Sequence, residues 1–413
     1  MANPATKSTA LWVVKRLRRA GYQALLAGGC VRDMLLGLRC TDYDVATNAS
    51  PQEVKALFHR VLLIGAKFGV AMVIHHNRMV EVTTFRSDLS YTDGRRPDGV
   101  EFATQRQDAR RRDFTINGMF YDPIAGTVID YVGGREDLRR RVVRTIGPAD
   151  RRLAEDYLRM IRAVRFAVRL GFSLDRKIAA AIRKHAEKIA SISGERIYDE
   201  LSKMLVLDSA AKALDMLADL GLAQAVLGEL FSHPAENLWD RARGRVAAVV
   251  CAKGHDLILA LAALLGDLPP RTISQIVRRW GGSNSLKETL QWLAGHRSDW
   301  NVAAQWPLCD FKRMLVSDHF ARLRVLWRLE ERCAAHGDTQ GRRIARRVRS
   351  IPKDRIAPVP LVTGEDLKKL GLSEGRKLGL IVRKLYDAQL NEEFASRREA
   401  LAAARRLVKE TPR

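Results

Sequence analysis

The stretch Leu25–Thr47, LLAGGCVRDMLLGLRCTDYDVAT, decides how the rest of the chain is read. A short apolar run, Tyr22–Ala27, meets Gly28-Gly29 and then a helical pattern from Val31 to Leu38, which predicts strand, tight turn, helix. Such a turn brings backbone N–H groups close to an anion, and Arg32 in the first helical turn adds a guanidinium for the same phosphates. Asp42 and Asp44 follow within little more than one helix. Side chains two apart on a strand point the same way, so the pair would present two carboxylates to one point. Taken alone, D-x-D is a solvated strand end. Behind a Gly-Gly turn it describes a site for a nucleoside triphosphate and Mg²⁺, an ion that completes its shell with water and substrate phosphates. Glu81, in the predicted strand Met79–Phe85, would supply a third carboxylate if that strand lies beside the one bearing the Asp pair.

Working outward, further strands are predicted at Val61–Ile64, Val70–His75 and Thr127–Tyr131, and Ser87–Gly99 reads as a polar loop. Beyond about Val142 strand signals cease. Helical periods take over at Ala154–Leu170, Arg176–Ile189 and Glu195–Leu207, continuing through Ala210–Leu230 and Val246–Leu265. The Pro-punctuated break Ile351–Pro360 sets off a last segment. The fold class is therefore α+β: a mixed sheet with helices, then helices only. The division expected is 1–142, 143–207, 208–350 and 351–413.

The 413 residues carry 71 Lys+Arg against 47 Asp+Glu, a formal charge of +24. Residues 341–413 hold 19 basic against 9 acidic side chains, so +10 of that excess lies there. With 46% hydrophobic residues the chain can bury a core, and the excess charge points to a polyanion, RNA before DNA. Five scattered cysteines, without a Cys-x-x-Cys pair or a His cluster, speak for a reduced, cytoplasmic protein with no structural metal. No apolar run of about 18 residues suggests a membrane span. Ser8–Gly21 is a basic amphipathic helix pattern preceding the first acidic residue, Asp33, and runs straight into the first strand.

Five linked motifs then appear in order: LLAGGCVRDMLLG with TDYDVATNASPQEV, EVTTFR, RRDFTINGMFYDP, IDYVGGREDLRRRVVRTIG and EDYLRMIRAVRFAVRLGF. Over roughly residues 20–205 the chain resembles the class II tRNA nucleotidyltransferase and bacterial poly(A) polymerase family. The resemblance implies a polymerase-β-type nucleotidyltransferase head followed by helical neck, body and tail domains that hold tRNA. It assigns Gly28, Gly29 and Arg32 to triphosphate binding and Asp42 and Asp44 to the metal. It assigns Arg112, Asp113 and Asn117 to the triphosphate and ribose, and Asp156, Arg159, Arg162 and Arg165 to the incoming nucleotide. Without that context Arg110-Arg111-Arg112 would be a solvated basic turn, and the three-residue spacing from Asp156 an exposed salt-bridged helix face.

The base-reading role also makes chemical sense. Adenine and cytosine each present an amino donor beside a ring-nitrogen acceptor, which a carboxylate and a guanidinium complement. Guanine and uracil reverse the order and would leave Asp156 and Arg159 unpaired, at roughly 1–3 kcal/mol per lost contact. ATP and CTP, with tRNA as acceptor, are the substrates so implied. Poly(A) polymerases of the family carry a basic stretch where this chain has LLIGAKFGVAMV, with Lys67 its one charge; CC-adding members shorten the loop that here spans Ser87–Gly99. Both departures favour CCA or A addition to tRNA. A non-catalytic RNA-binding protein on the same fold is the reading from another class, and the intact acidic and basic motifs oppose it. In LAALLGDLP, Gly266 stands where many relatives have the His of an HD-type phosphohydrolase, so no hydrolase metal site is expected. Gly118 replaces the family's usual Ala and is expected to be tolerated. His75-His76 reads as a strand end.

Overall fold

The computed structural model describes residues 3–4, 6–64, 69–88, 100–232, 236–252, 255–333 and 339–410. Most of the polar loop, residues 89–99, and Lys67 lie outside these. The described chain falls into two compact units, Met1–Trp239 with Arg279–Gly281, and Asp240–Arg278 with Gly282–Arg413.

The first unit opens with a two-residue strand β1 (Asn3–Pro4), helix α1 (Lys7–Arg19), strand β2 (Ala24–Ala27), helix α2 (Gly29–Leu35), strand β3 (Asp44–Thr47) and helix α3 (Pro51–Leu57). Strands β4 (Val61–Leu62), β5 (Val70–His75), β6 (Arg78–Thr84), β7 (Arg86–Asp88) and β8 (Val100–Phe102) follow, then α4 (Gln105–Arg111), β9 (Phe120–Asp122) and β10 (Thr127–Ile129). The sheet order is β10-β9-β2-β3-β6-β5-β4, with β1 added beside β6. Strands β3 and β6 run parallel with Val45 opposite Val82, and β2 and β3 antiparallel with Ala27 opposite Asp44. Alternation therefore sends Asp44 and Glu81 to one face. The opposite face is covered by α1, which buries Ala10, Val13, Val14 and Leu17, and by α3, whose start is fixed by a capping box between Ser50 and Glu53. On the first face Leu25, Ala27, Ala46, Phe85, Ala109 and Phe120 form one core cluster.

Helix α5 (Gly134–Arg140) and β11 (Val142–Val143) lead to α6 (Ala149–Glu155), α7 (Leu158–Leu170), β12 (Ser173–Leu174), α8 (Arg176–His185) and α9 (Gly194–Leu205). Two expectations are corrected here. Strand structure does not end at Val142, because β11 pairs in parallel with β12; two-residue strands are too short to leave a periodic signal. The helix expected from Ala154 to Leu170 is broken. Asp156 is extended, at φ −157° and ψ 103°, and its carboxylate accepts the Leu158 N–H at 3.1 Å. Asp favours this capping role over a helix interior.

The second unit is helical throughout its described residues. Its helix Leu257–Leu265 is apolar along its length and buried from Leu259 onward. Asp267 just beyond is 2% exposed in its side chain and is taken by Arg241 at 2.7 Å, Arg245 and Arg297. At Gly266 a Cβ would stand 2.6 Å from the Ala262 carbonyl oxygen, so this tight turn has no room for a larger residue. The last segment has a core of its own, in which Val362, Leu367, Ile381, Leu385, Ala400 and Ala404 meet.

Candidate active site

A cavity of about 750 Å³ opens within the first unit, and all of the residues singled out from Gly28 to Arg165 line it. Its acidic wall comes from the sheet. Strand β3 begins only at Asp44, so Asp42 sits on the approach to the strand rather than within it, yet both carboxylates reach the cavity. One step back from the Val45–Val82 pair, Glu81 of β6 lies beside Asp44. Burial pushes the Asp44 carboxyl up to about 6; Glu81 and Asp42 push the same way and Arg112 opposes them. Among the described residues no three His, Cys, Asp or Glu side chains form a ready cage. Crowded carboxylates, one with its charged form disfavoured by burial, fit a divalent cation whose charge would relieve them and whose shell is finished by substrate oxygens.

The basic wall is assembled around Gly28, whose φ of +73° and ψ of −130° suit only glycine. A Cβ there would stand 3.0 Å from Arg112 Nη1, so the bare backbone lets this guanidinium close in. Arg112 donates to Asp108 through Nε at 3.1 Å and Nη2 at 2.9 Å, and lies 5.2 Å from the Phe120 ring. Asp108 also holds Arg111, at 2.9 Å.

A continuous chain of hydrogen bonds and ion pairs joins the motifs. Arg169 Nη2 donates to Asp33 at 3.0 Å, and Arg32 donates to Asp33 at 2.8 Å and to Asn117 Oδ1 at 2.7 Å. Asn117 donates to Asp113 at 3.0 Å, whose other oxygen accepts Arg162 at 2.7 and 3.1 Å. Glu200 of α9 then accepts Arg162 at 3.4 Å and Arg165 at 2.5 Å. Burial alone would raise the Asp113 pKa, but Arg162, Asn117 and the Phe114 N–H overrule it and hold the carboxyl at about 2. Arg32 is 2% exposed and lies 5.0 Å from the Phe166 ring.

Asp156 and Arg159 stand apart from that chain. Arg196, on α9, donates to both oxygens of Asp156 at 3.2 and 2.7 Å, while Arg159 donates to the Arg152 carbonyl at 2.6 Å and to Glu155 at 2.8 Å. Asp108, Arg196 and Glu200 were not singled out in the sequence. Asp108 left a local signal, lying three and four residues before Arg111 and Arg112 on one helix face. Arg196 and Glu200 act across 35 to 40 residues and left none. His75 does end a strand, stacked on Trp12 at 3.7 Å.

Acidic and basic walls around one cavity, with a carboxylate and a guanidinium at its edge, define a nucleotidyltransferase-type head. Residues 24–144 match the Poly A polymerase head domain, and residues 171–233 match the probable RNA and SrmB-binding site of polymerase A. The chain is 46% identical over 250 residues to the CCA-adding enzyme of Geobacillus thermodenitrificans, a match covering 59% of this chain and 62% of that protein. For the Geobacillus stearothermophilus enzyme the match, again 46% identical, covers 52% of this chain and 53% of the relative, about half its length. The Levilactobacillus brevis CCA-adding enzyme is 32% identical over 407 residues, covering 95% of this chain and 96% of that one. Among solved structures, the Bacillus stearothermophilus CCA-adding enzyme in complex with CTP superposes with a TM-score of 0.79 at 30% identity, covering 97% of each chain. The chain belongs to the CCA-adding enzyme family of tRNA nucleotidyltransferases. Members of such nucleotidyltransferase families depend on a divalent metal.

Proposed function

We propose that this chain transfers CMP and AMP from CTP and ATP to the 3′ end of tRNA without a nucleic-acid template. The 3′-hydroxyl attacks the α-phosphate and pyrophosphate leaves. The observation that carries this reading is the meeting, in one cavity, of Asp42, Asp44 and Glu81 with Arg112 and with the Asp156–Arg159 pair. We assign Asp42 and Asp44 to Mg²⁺ with Glu81 alongside; the bound ion would lower the pKa of the hydroxyl and stabilise charge on the transferred phosphate. Gly28 and Gly29 let the nucleotide approach the backbone, and Arg112 neutralises the triphosphate. Arg32, Asp113 and Asn117 hold one another and fix the floor on which ribose and phosphates rest, and Arg162 and Arg165 extend it. Asp156, oriented by Arg196, accepts the amino group of A or C, and Arg159 donates to the neighbouring ring nitrogen. Preorganised fields rather than covalent chemistry are what the protein contributes.

The same reading divides the chain into a head (1–142), a neck bearing the base-reading pair (143–207), a body (208–350) and a basic tail (351–413), the helical parts tracking the tRNA backbone. It places the protein in the cytoplasm. No helix among the described residues is long and apolar enough to cross a membrane. The test uses three labelled acceptors: tRNA ending before the first C, tRNA ending in CC, and a poly(A) strand. Full CCA addition extends the first, A addition only the second, and poly(A) polymerase the third. Asp42→Ala/Asp44→Ala should abolish every product while tRNA affinity stays within a few-fold, because phosphate contacts dominate binding. Incorporation by that variant would overturn the metal assignment.

A further inference from the structure

Helix α1 has no acidic residue, and most of its apolar side is buried against the sheet, on the face away from Asp44 and Glu81, with Leu11 and Trp12 half-buried at its edge. What it turns outward is Lys15, Arg16 and Arg19, all exposed. With Trp12, Ala20 and Leu57 of α3, these three cations line a groove of about 330 Å³. Trp12 is held upright there, stacked on His75 with ring centroids 3.7 Å apart and tilted against Phe58 at 5.4 Å. Arg16 bridges the two helices by donating to the Leu57 carbonyl at 2.8 Å. The end of α3 continues the surface with exposed Lys55, His59 and Arg60. Among the described residues, Lys15, Arg16, Arg19, Lys55 and Arg60 make no ion pair, whereas the arginines of the cavity are nearly all engaged by carboxylates.

Unpaired cations interleaved with aromatic rings are the means by which proteins hold an RNA strand without reading its sequence. An anionic bilayer suits the surface less well, since an interfacial helix needs a broad free apolar face to insert and α1 has buried Ala10, Val13, Val14 and Leu17 against the sheet. We propose that this face of the head is a second RNA-binding surface, which takes phosphates on Lys15, Arg16 and Arg19 and passes the strand toward Lys55 and Arg60. It would engage RNA other than the 3′ end entering the cavity.

The test compares the full chain with Lys15→Glu/Arg19→Glu/Arg60→Glu and with the milder Lys15→Gln/Arg19→Gln/Arg60→Gln. Anisotropy of a labelled tRNA transcript and of a labelled single-stranded RNA is followed without nucleotide, so the outcome does not depend on catalysis. The expected result is an affinity about tenfold or more lower at low salt for the Glu variant. The slope of log affinity against log salt should also be shallower by about two to three, one unit per lost phosphate contact. The Gln variant should fall between, and both should melt as the parent does, the changed side chains being exposed. Affinities and slopes equal to the parent's for both RNAs would overturn the proposal. So would parent binding to phosphatidylcholine–phosphatidylserine vesicles that is tighter than to RNA and is lost in the variants.

Discussion

Replacing Glu200 tests whether the arginines facing the cavity are held or free. Its side chain is 2% exposed and accepts Arg165 at 2.5 Å and Arg162 at 3.4 Å, while Arg162 keeps Asp113 at 2.7 Å. Glu200→Ala therefore strands chiefly Arg165, whose guanidinium keeps the Phe166 ring, 4.2 Å away, and a weaker attraction to Asp113 but loses its hydrogen-bonded carboxylate. Breaking a buried pair from one side costs about 3–5 kcal/mol, because the remaining charge stays desolvated. Glu200→Gln keeps an acceptor of the same shape and gives up the charge-assisted part of the bond, about 1–2 kcal/mol. Removing both charges with Arg165→Met/Glu200→Leu should bring stability back near the parent's, since well-packed apolar groups replace such pairs at little cost. Urea unfolding read by fluorescence is the assay; buried Trp280 stacks on Tyr198 of α9 at 5.3 Å and reports on this region. CTP and ATP binding should fail in the Ala variant and stay weak in the Met/Leu variant, which separates folding from function. A Glu200→Ala cost below about 1 kcal/mol, or a double variant as unstable as the single one, would refute the claim that this pair is desolvated.

Three other outcomes are expected. Arg196→Ala removes both of the Asp156 carboxylate's bonds to Arg196 and leaves it the Leu158 N–H, so on the proposed base-reading role the preference for ATP over GTP and CTP over UTP should fall by about tenfold, one weakened contact's worth, in single-nucleotide addition assays; an unchanged preference would mean that Arg196 does not orient Asp156 for the base. At Gly118 a Cβ would stand 2.8 Å from Val132 Cγ2 and 2.9 Å from Ile146 Cδ1, so this chain leaves no room there for a larger residue. Gly118→Ala should destabilise by about 1 kcal/mol, overpacking outweighing the backbone-entropy gain, and Val132→Ala should rescue it in thermal melts. Asp113, at about 2 when folded against 3.8 ordinarily, contributes stability that is complete above its unfolded pKa and is lost as pH falls through the folded one. The parent's advantage over Asp113→Asn should thus shrink from about 2 kcal/mol at pH 5 to about 1 kcal/mol at pH 3, measured by urea unfolding at each pH.

What could be read ahead of the structure was what the chain encodes locally. The Gly28 turn lies within a few residues, so its geometry follows from turn chemistry; the Asp42–Asp44 spacing signalled the site although Asp42 lies just outside strand β3, and Glu81 joins it only through the pairing of β6 with β3. Asp156 was misplaced for the same local reason working against the reader. Its surroundings have helical periodicity, and only its carboxylate capping Leu158 breaks the helix. Arg32 was legible as a cavity residue but not as a buried one, because its partners Asn117 and Phe166 come from 85 and 134 positions away. Glu200 and Arg196 sit in an ordinary-looking amphipathic helix, and their meaning appears only when α9 packs along α7.

The separate anchoring of two groups of side chains has an evolutionary consequence. From Arg169 through Asp33, Arg32, Asn117, Asp113, Arg162 and Glu200 to Arg165, each member hydrogen-bonds the next, so exchanging any interior one leaves a neighbour without its partner. Asp156 leans instead on Arg196, outside that series. On the proposed base-reading role of Asp156, the Asp156–Arg196 couple, and with it the choice of base, could therefore change without disturbing the network of arginines. On that reading the grip on the nucleotide is harder to change by single substitutions than the taste in bases.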